Sequence, residues 1–283
     1  MLSTEFAFFA PTELSEALGL VAEHGEGTKV LAGGMSMLPA MNLGILRPET
    51  VVSLNHIPSL DYVEDAGDHL RIGAMVRHER VVGDPLIREH VPVLSEAARH
   101  VGDVQIRHRG TIGGSVAHAD PAADYLPVMI ATGASVKLAS ARGERTLPAS
   151  EFLVDVMLTS LEQGEVLVEL QVPKLPAGGT SAYARLARVE GSFALVNAAA
   201  VVDGGRPVIA IGGATAVPVL VETSVDLSGG APAGALEEIG EAAVAACEDA
   251  HGDLHASPEY RRELARVYAK RAVEKALAQR EGR

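Results

Sequence analysis

Two rhythms of apolar residues alternate along the chain, and their order predicts its elements. The opening EFAFFA (5–10) alternates loosely as a strand and ends at Pro11. Leu14, Ala17, Leu18 and Val21 then share one helix face, with Thr12 placed to cap it and Gly25 and Gly27 to stop it. TKVLA (28–32) is again β-branched and apolar, and it runs straight into Gly33-Gly34. Shorter strands are expected at 50–54 and 69–75, a helical stretch around 92–101, and further strands at 135–140 and 165–173. PKLPAGGTSAY (173–183) is rich in Pro and Gly without periodicity and is expected to link two domains. Beyond it, FALVNAAAVVD and PVIAIGGAT read as sheet strands, and helices over about 234–250 and 258–280 finish the chain. This order predicts an α+β protein with a smaller α+β domain at its C-terminal end.

Composition narrows the function classes. A chain of 283 residues, 47% hydrophobic and 22% charged, has core material for two domains. No apolar run approaches the roughly 18 residues of a membrane span. Glu5 stands where a signal peptide needs basic residues, so a cytoplasmic location is expected. A net charge of −13 argues against a nucleic-acid partner. Residues 258–283 depart from this, with eight Lys/Arg against four Glu, and read either as a solvated helix or as a dock for an acidic partner. Cys247 is the only cysteine, so the chain can form no internal disulfide and cannot ligate an iron–sulfur cluster by itself. Its helical setting, EEIGEAAVAACEDA, reads as a buried, inert thiol.

The candidate chemistry lies in two related stretches, VLAGGMSMLP (30–39) and GTIGGSVAHADP (110–121). Each has a glycine pair followed by serine, Ser36 or Ser115. Glycines permit positive φ and close approach, successive N–H groups form an anion-binding nest, and a hydroxyl adds a neutral donor. Two such loops suit the two halves of a diphosphate. Neither fits GxxxxGK[ST] or GxGxxG, so a held dinucleotide cofactor is expected rather than phosphoryl transfer. Glycine pairs also occur in ordinary turns, and Gly212-Gly213 is assigned one. Asp124 is expected to accept a hydrogen bond from a sugar or ribityl hydroxyl. His118 and Asp120 are too few for a metal site, and a loop-ordering hydrogen bond is expected of His118. Arg107, His108 and Arg109 either attract a diphosphate or form a solvated rim. No G-x-S-x-G elbow supports nucleophilic hydrolysis.

AGGMSMLPAMNLGILRPETVVSLNHIPSL, followed about 75 residues later by RHRGTIGGSVAHADPAADYLPVMIATGASVKL, resembles the FAD-binding medium subunit of molybdenum hydroxylases, the carbon monoxide dehydrogenase and xanthine dehydrogenase superfamily. YARLARVEGSFALVNAAAVV and YRRELARVYAKRAVEKAL extend the resemblance over most of the chain. It implies a two-lobed FAD-binding domain of the PCMH type over residues 1–175, with lobes of about 1–57 and 58–175, and a C-terminal flavoprotein domain over 176–283. It implies FAD contacts from Ala32, Gly33, Gly34, Met35 and Ser36, from Thr111, Ile112, Gly113, Gly114 and Ser115, and from Asp124. Leu161 falls where the family places an apolar residue against the nucleotide end, Arg185 near a position often held by Lys, and Phe193 where a side chain approaches the isoalloxazine. Ser115 replaces a common Asp or Asn, and Met35 a commonly polar residue. No catalytic residue and no metal ligand is assigned to this chain.

The implied function is electron transfer from 2Fe–2S clusters of a small partner subunit through FAD to an external acceptor. A large partner would carry the molybdopterin cofactor, in a dimer of heterotrimers. The alternatives are a stand-alone FAD-dependent oxidase or dehydrogenase acting on a small organic substrate, and a non-enzymatic assembly or regulatory subunit that has lost FAD. Carbon monoxide, a purine, an N-heterocycle and an aldehyde stay open as substrates of the complex.

Overall fold

Parallel strands that end side by side open the chain. The computed structural model describes residues 5–281. Strands Ala7–Phe9, Thr50–Ser53 and Thr28–Leu31 lie in that spatial order, all parallel. The central strand, TVVS, is buried at all four positions, as a β-branched strand covered on both faces should be. Helix Leu14–His24 connects the outer strands and buries Ala17, Leu18 and Val21, the face its apolar spacing predicted. Its N-cap is Glu13 and no side chain caps it. Thr12 stands one residue too early to reach the first-turn amides.

The second lobe is an antiparallel sheet in the order Val63–Asp65, His69–Gly73, Val166–Pro173, Ser135–Ser140 and Gly143–Pro148. Short helices cover it, among them Pro92–Ala98, Ile112–His118 and Tyr125–Ala131. Leu70, Ile72, Val136, Leu138 and Leu170 meet Ile112, Val116, Leu126 and Met129 in one apolar core. Among the described residues, no helix is long and apolar enough to cross a membrane.

A third sheet, Thr180–Ala187, Ala194–Asp203, Arg206–Gly212 and Val219–Leu220, is antiparallel throughout. Helix Pro258–Glu281 packs on it, and helix Ala235–Ala246 packs against that helix. Ala198, Ala200, Ala265, Ala269, Ala272 and Ala276 are fully buried at this interface, where small side chains let helix and sheet approach closely. The expected linker over 173–183 is shorter than its composition suggested. Thr180, Ser181, Ala182 and Tyr183 are buried and pair with Val202, Val201, Ala200 and Ala199. That partner strand, not the local pattern, makes them a strand.

The basic C-terminal helix spends its charges within the chain. Arg266 pairs with Glu241 and Glu263, Lys270 with Glu237, and Lys275 with Glu96. Cys247 is fully buried, and burial pushes its thiol up to about 11, which leaves little thiolate to react. Of the pair assigned to a turn, Gly212 ends its strand opposite Asn197, and only Gly213 bends away, with φ 79° and its N–H donating to Pro121 O at 2.9 Å. Arg261, with its side chain 5% exposed, donates to the carbonyls of Leu195 and Gly213 and to Asp253 Oδ2 at 2.7 Å. Arg261→Met would leave two buried carbonyls unpaired, and it is expected to cost about 2–4 kcal/mol of stability, read from urea unfolding midpoints.

Candidate cofactor-binding site

Residues 32–36 leave the end of strand Thr28–Leu31, whereas Thr111 begins helix Ile112–His118 in the second lobe. The fold presses these two stretches together. A methyl group on Gly33 would lie 2.4 Å from the Arg109 carbonyl oxygen and 2.6 Å from Gly110 Cα. One on Gly114 would lie 3.3 Å from Ala32 Cβ, and one on Gly113 only 2.4 Å from Ala74 Cβ. Close approach is therefore what requires these glycines. Positive φ occurs at Gly34 alone among the four, at 79°.

The second stretch is not a loop. Thr111 caps the helix, its Oγ1 accepting from Gly114 N at 3.1 Å. Ile112 N and Gly113 N donate to the carbonyls of Val76 and Ala74, each at 3.0 Å, and Ser115 N donates to Thr111 O. These amides are committed, so the expected nest fails here, and what this stretch offers is glycine faces and the half-buried Ser115 hydroxyl. The first stretch differs. Among the described residues, the N–H groups of Gly33, Gly34, Met35 and Ser36 meet no acceptor. Only one of the two motifs is thus a free run of donors.

Asp124 precedes helix Tyr125–Ala131. The turn leading to it is closed by Asp120, which accepts from Ala122 N at 2.9 Å, so Asp120 rather than His118 orders this segment. Asp124 Oδ1 accepts from Tyr183 OH at 2.6 Å and from Arg185 Nη1 at 2.8 Å, and both members of the ion pair are 6% exposed. Burial raises the Asp124 carboxyl, while Arg185 and Tyr183 pull it back. Asp124 Oδ2 carries no hydrogen bond among the described residues. Arg185 also donates to His100 O and Ser192 O, which ties down the loop before Phe193. Phe193 is 59% exposed. Leu161 is half-buried against the second-lobe core, beyond a hairpin whose Met157 N donates to Ala119 O at 3.1 Å. No hydrogen bond among the described residues joins Leu161 or Phe193 to the glycine stretches.

Three further residues, His78, Asn55 and Arg77, support this region without any signal in the local sequence. His78 lies buried beneath Gly110, where a methyl group would sit 2.5 Å from its Nε2. Its Nδ1 is 2.9 Å from Tyr125 OH. Burial, aided by the charges of Arg77 and Arg107, lowers His78 to about 3, so the ring is neutral. Asn55 Nδ2 donates to Ala32 O at 2.8 Å, and its Oδ1 accepts from Arg77 Nη2 at 2.9 Å. Arg77 Nη1 donates to Arg109 O. Arg107 is held by Glu79 at 3.0 Å and by Gly102 O at 3.1 Å, a structural engagement rather than an attraction for diphosphate.

The family described as "FAD binding domain in molybdopterin dehydrogenase" matches residues 4–175, and that of the "CO dehydrogenase flavoprotein C-terminal domain" matches residues 181–276. The chain belongs to the FAD-binding medium subunits of the molybdopterin dehydrogenases. This flavoprotein subunit is 34% identical to the carbon monoxide dehydrogenase medium chain of Hydrogenophaga pseudoflava, over 98% of its own length and 99% of the relative's. It is 33% identical to the 6-hydroxypseudooxynicotine dehydrogenase complex subunit alpha of Paenarthrobacter nicotinovorans, covering 98% and 96%. Its fold superposes on a chain of the H. pseudoflava carbon monoxide dehydrogenase with a TM-score of 0.92, at 34% identity and with 99% of each chain covered. On a chain of quinoline 2-oxidoreductase from Pseudomonas putida 86 the TM-score is 0.90, at 32% identity and with 99% of each covered.

The packing of the flavoprotein subunit around its glycines has measurable consequences. Gly113→Ala drives a methyl into Ala74 and is expected to cost about 1–3 kcal/mol in urea unfolding. His78 sets an acid limit. An unfolded histidine titrates near 6.5 and the folded one near 3, so the unfolded chain binds the extra proton between these values. Stability is therefore full above about 6.5 and falls as pH drops towards 3, by up to about 1.4 kcal/mol per pH unit. Unfolding free energies at about pH 7 and about pH 5 are expected to differ less in His78→Gln than in the wild type.

Proposed function

We propose that this chain carries the FAD of a molybdenum hydroxylase complex, taking electrons from 2Fe–2S clusters of a small partner subunit and delivering them to an external acceptor. A large partner holding the molybdenum cofactor would oxidise the substrate. The observation that carries the reading is the unpaired amide run at 33–36, pressed by its glycines against Gly110 and the Thr111-capped helix. In this reading the Gly33, Gly34, Met35 and Ser36 amides bind the diphosphate, with Ala32 lending its small side chain to the contact. Thr111, Ile112, Gly113, Gly114 and Ser115 form the opposing wall, where the half-buried Ser115 hydroxyl is free to donate among the described residues. Asp124 Oδ2 accepts from a sugar or ribityl hydroxyl while Arg185 holds the carboxylate in place. Leu161 packs at the nucleotide end and Phe193 at the isoalloxazine. Bound FAD supplies one- and two-electron chemistry, and the chain's own work is to position it and exclude competing reactions.

The test is to purify the tagged chain from its native host. Equimolar FAD together with molybdenum and iron is the expected result. Protein that shows no flavin absorption even after FAD is added would remove the reading. FAD without iron or molybdenum would favour the stand-alone oxidase. Asp124→Asn is expected to weaken FAD retention about tenfold, the loss of one charge-assisted hydrogen bond, measured by titrating FAD into the deflavinated complex.

A further inference from the structure

Strands Thr28–Leu31 and Thr50–Ser53 are parallel neighbours, so Ala32 and Asn55 leave the same end of the first sheet. Asn55 is tied to that end twice, its Nδ2 donating to Ala32 O at 2.8 Å and to Ser53 Oγ at 3.0 Å. The orientation of its amide is decided by chemistry, because Arg77 can only donate and therefore takes Oδ1. Arg77 belongs to the second lobe and reaches Arg109 O, next to the Gly110 backbone on which Gly33 rests. A single chain of hydrogen bonds thus runs from the carbonyl of Ala32 to the carbonyl of Arg109, one in each glycine stretch's own neighbourhood. Arg77 has no carboxylate within ion-pair distance among the described residues, so its bonds to neutral oxygens are what hold its guanidinium. A cavity of about 310 Å³ lined by Asn55, His56, Asp61, Met75 and Arg77 lies alongside, giving the guanidinium room to swing away once those bonds are lost.

We propose that Asn55 and Arg77 form a strut between the lobes that sets the spacing of the two glycine stretches, and so the affinity of the chain for FAD. They are positioning residues, acting through the backbone of Ala32 and Arg109. The inference rests on the reading that these stretches hold FAD. It makes the planar fork of Arg77 indispensable, because it bonds two acceptors at once, which a lysine ammonium on a flexible stem does not reproduce.

FAD would be titrated into the deflavinated native complex bearing Asn55→Ala, Arg77→Gln, Arg77→Lys or the double change Asn55→Ala with Arg77→Gln. Each single variant, Arg77→Lys included, is expected to raise the FAD Kd about tenfold. The double variant should be little worse than either single one, because the two act as a unit. Melting of the deflavinated proteins separates this from a general loss of fold, since the strut requires the Kd to move in variants whose melting is near that of the wild type. An Arg77→Lys variant that binds FAD like the wild type would overturn the strut and leave only a charge effect. So would an unchanged Kd in Asn55→Ala. A wild-type complex that takes up no FAD would instead overturn the functional reading on which the inference rests.

Discussion

The contact between Gly33 and the Arg109–Gly110 backbone is the constraint around which the first two lobes are arranged. It joins a parallel sheet to an antiparallel one through main chain alone, with no side chain to adjust. Backbone touching backbone leaves no room for a side chain at Gly33, because a methyl at 2.4 Å from a carbonyl oxygen is forbidden rather than merely unfavourable. Everything nearby serves that closeness. Gly110 makes way for the His78 ring, Gly113 for Ala74, and the committed amides of Ile112 and Gly113 fasten the helix to Ala74 and Val76.

The third sheet completes the region through a different interaction. Tyr183 and Arg185, neighbours on one face of its first strand, converge on Asp124 of the second lobe. A buried carboxylate is costly unless it is paired and hydrogen-bonded, and here one oxygen receives both donors while the other has no partner among the described residues. The C-terminal domain is therefore more than an appendage, because it supplies the cation and the hydroxyl that offset the cost of burying the Asp124 carboxyl. The same Arg185 also anchors the loop before Phe193, which links the acidic residue to an exposed aromatic ring by one guanidinium.

The geometry of the two glycine stretches carries detail that family membership alone does not give. A matched glycine pair suggests a loop and an anion nest. Among the described residues the first pair keeps its amides free, while the second opens a helix whose amides are already spent. Related motifs can thus differ in what their backbones offer, free donors in one and a smooth wall in the other.

Much of the fold was legible because it rests on local periodicity. The face of helix Leu14–His24, the strand Ser135–Ser140 and the burial of Cys247 all follow from residue spacing and type. Asp124 and both glycine stretches could be singled out by residue type, although the type alone does not separate them from a turn pair such as Gly212-Gly213. What the sequence could not show was pairing at a distance. Thr180–Tyr183 became strand because Ala199–Val202 lies beside it. His78, Asn55 and Arg77 are isolated polar residues whose partners sit 47, 23 and 32 positions away. By itself the sequence determined which segments curl or extend and where the backbone is left bare. Only the tertiary structure decided which bare backbone faces which, because hydrogen bonds between distant segments obey geometry in space and leave no period along the chain.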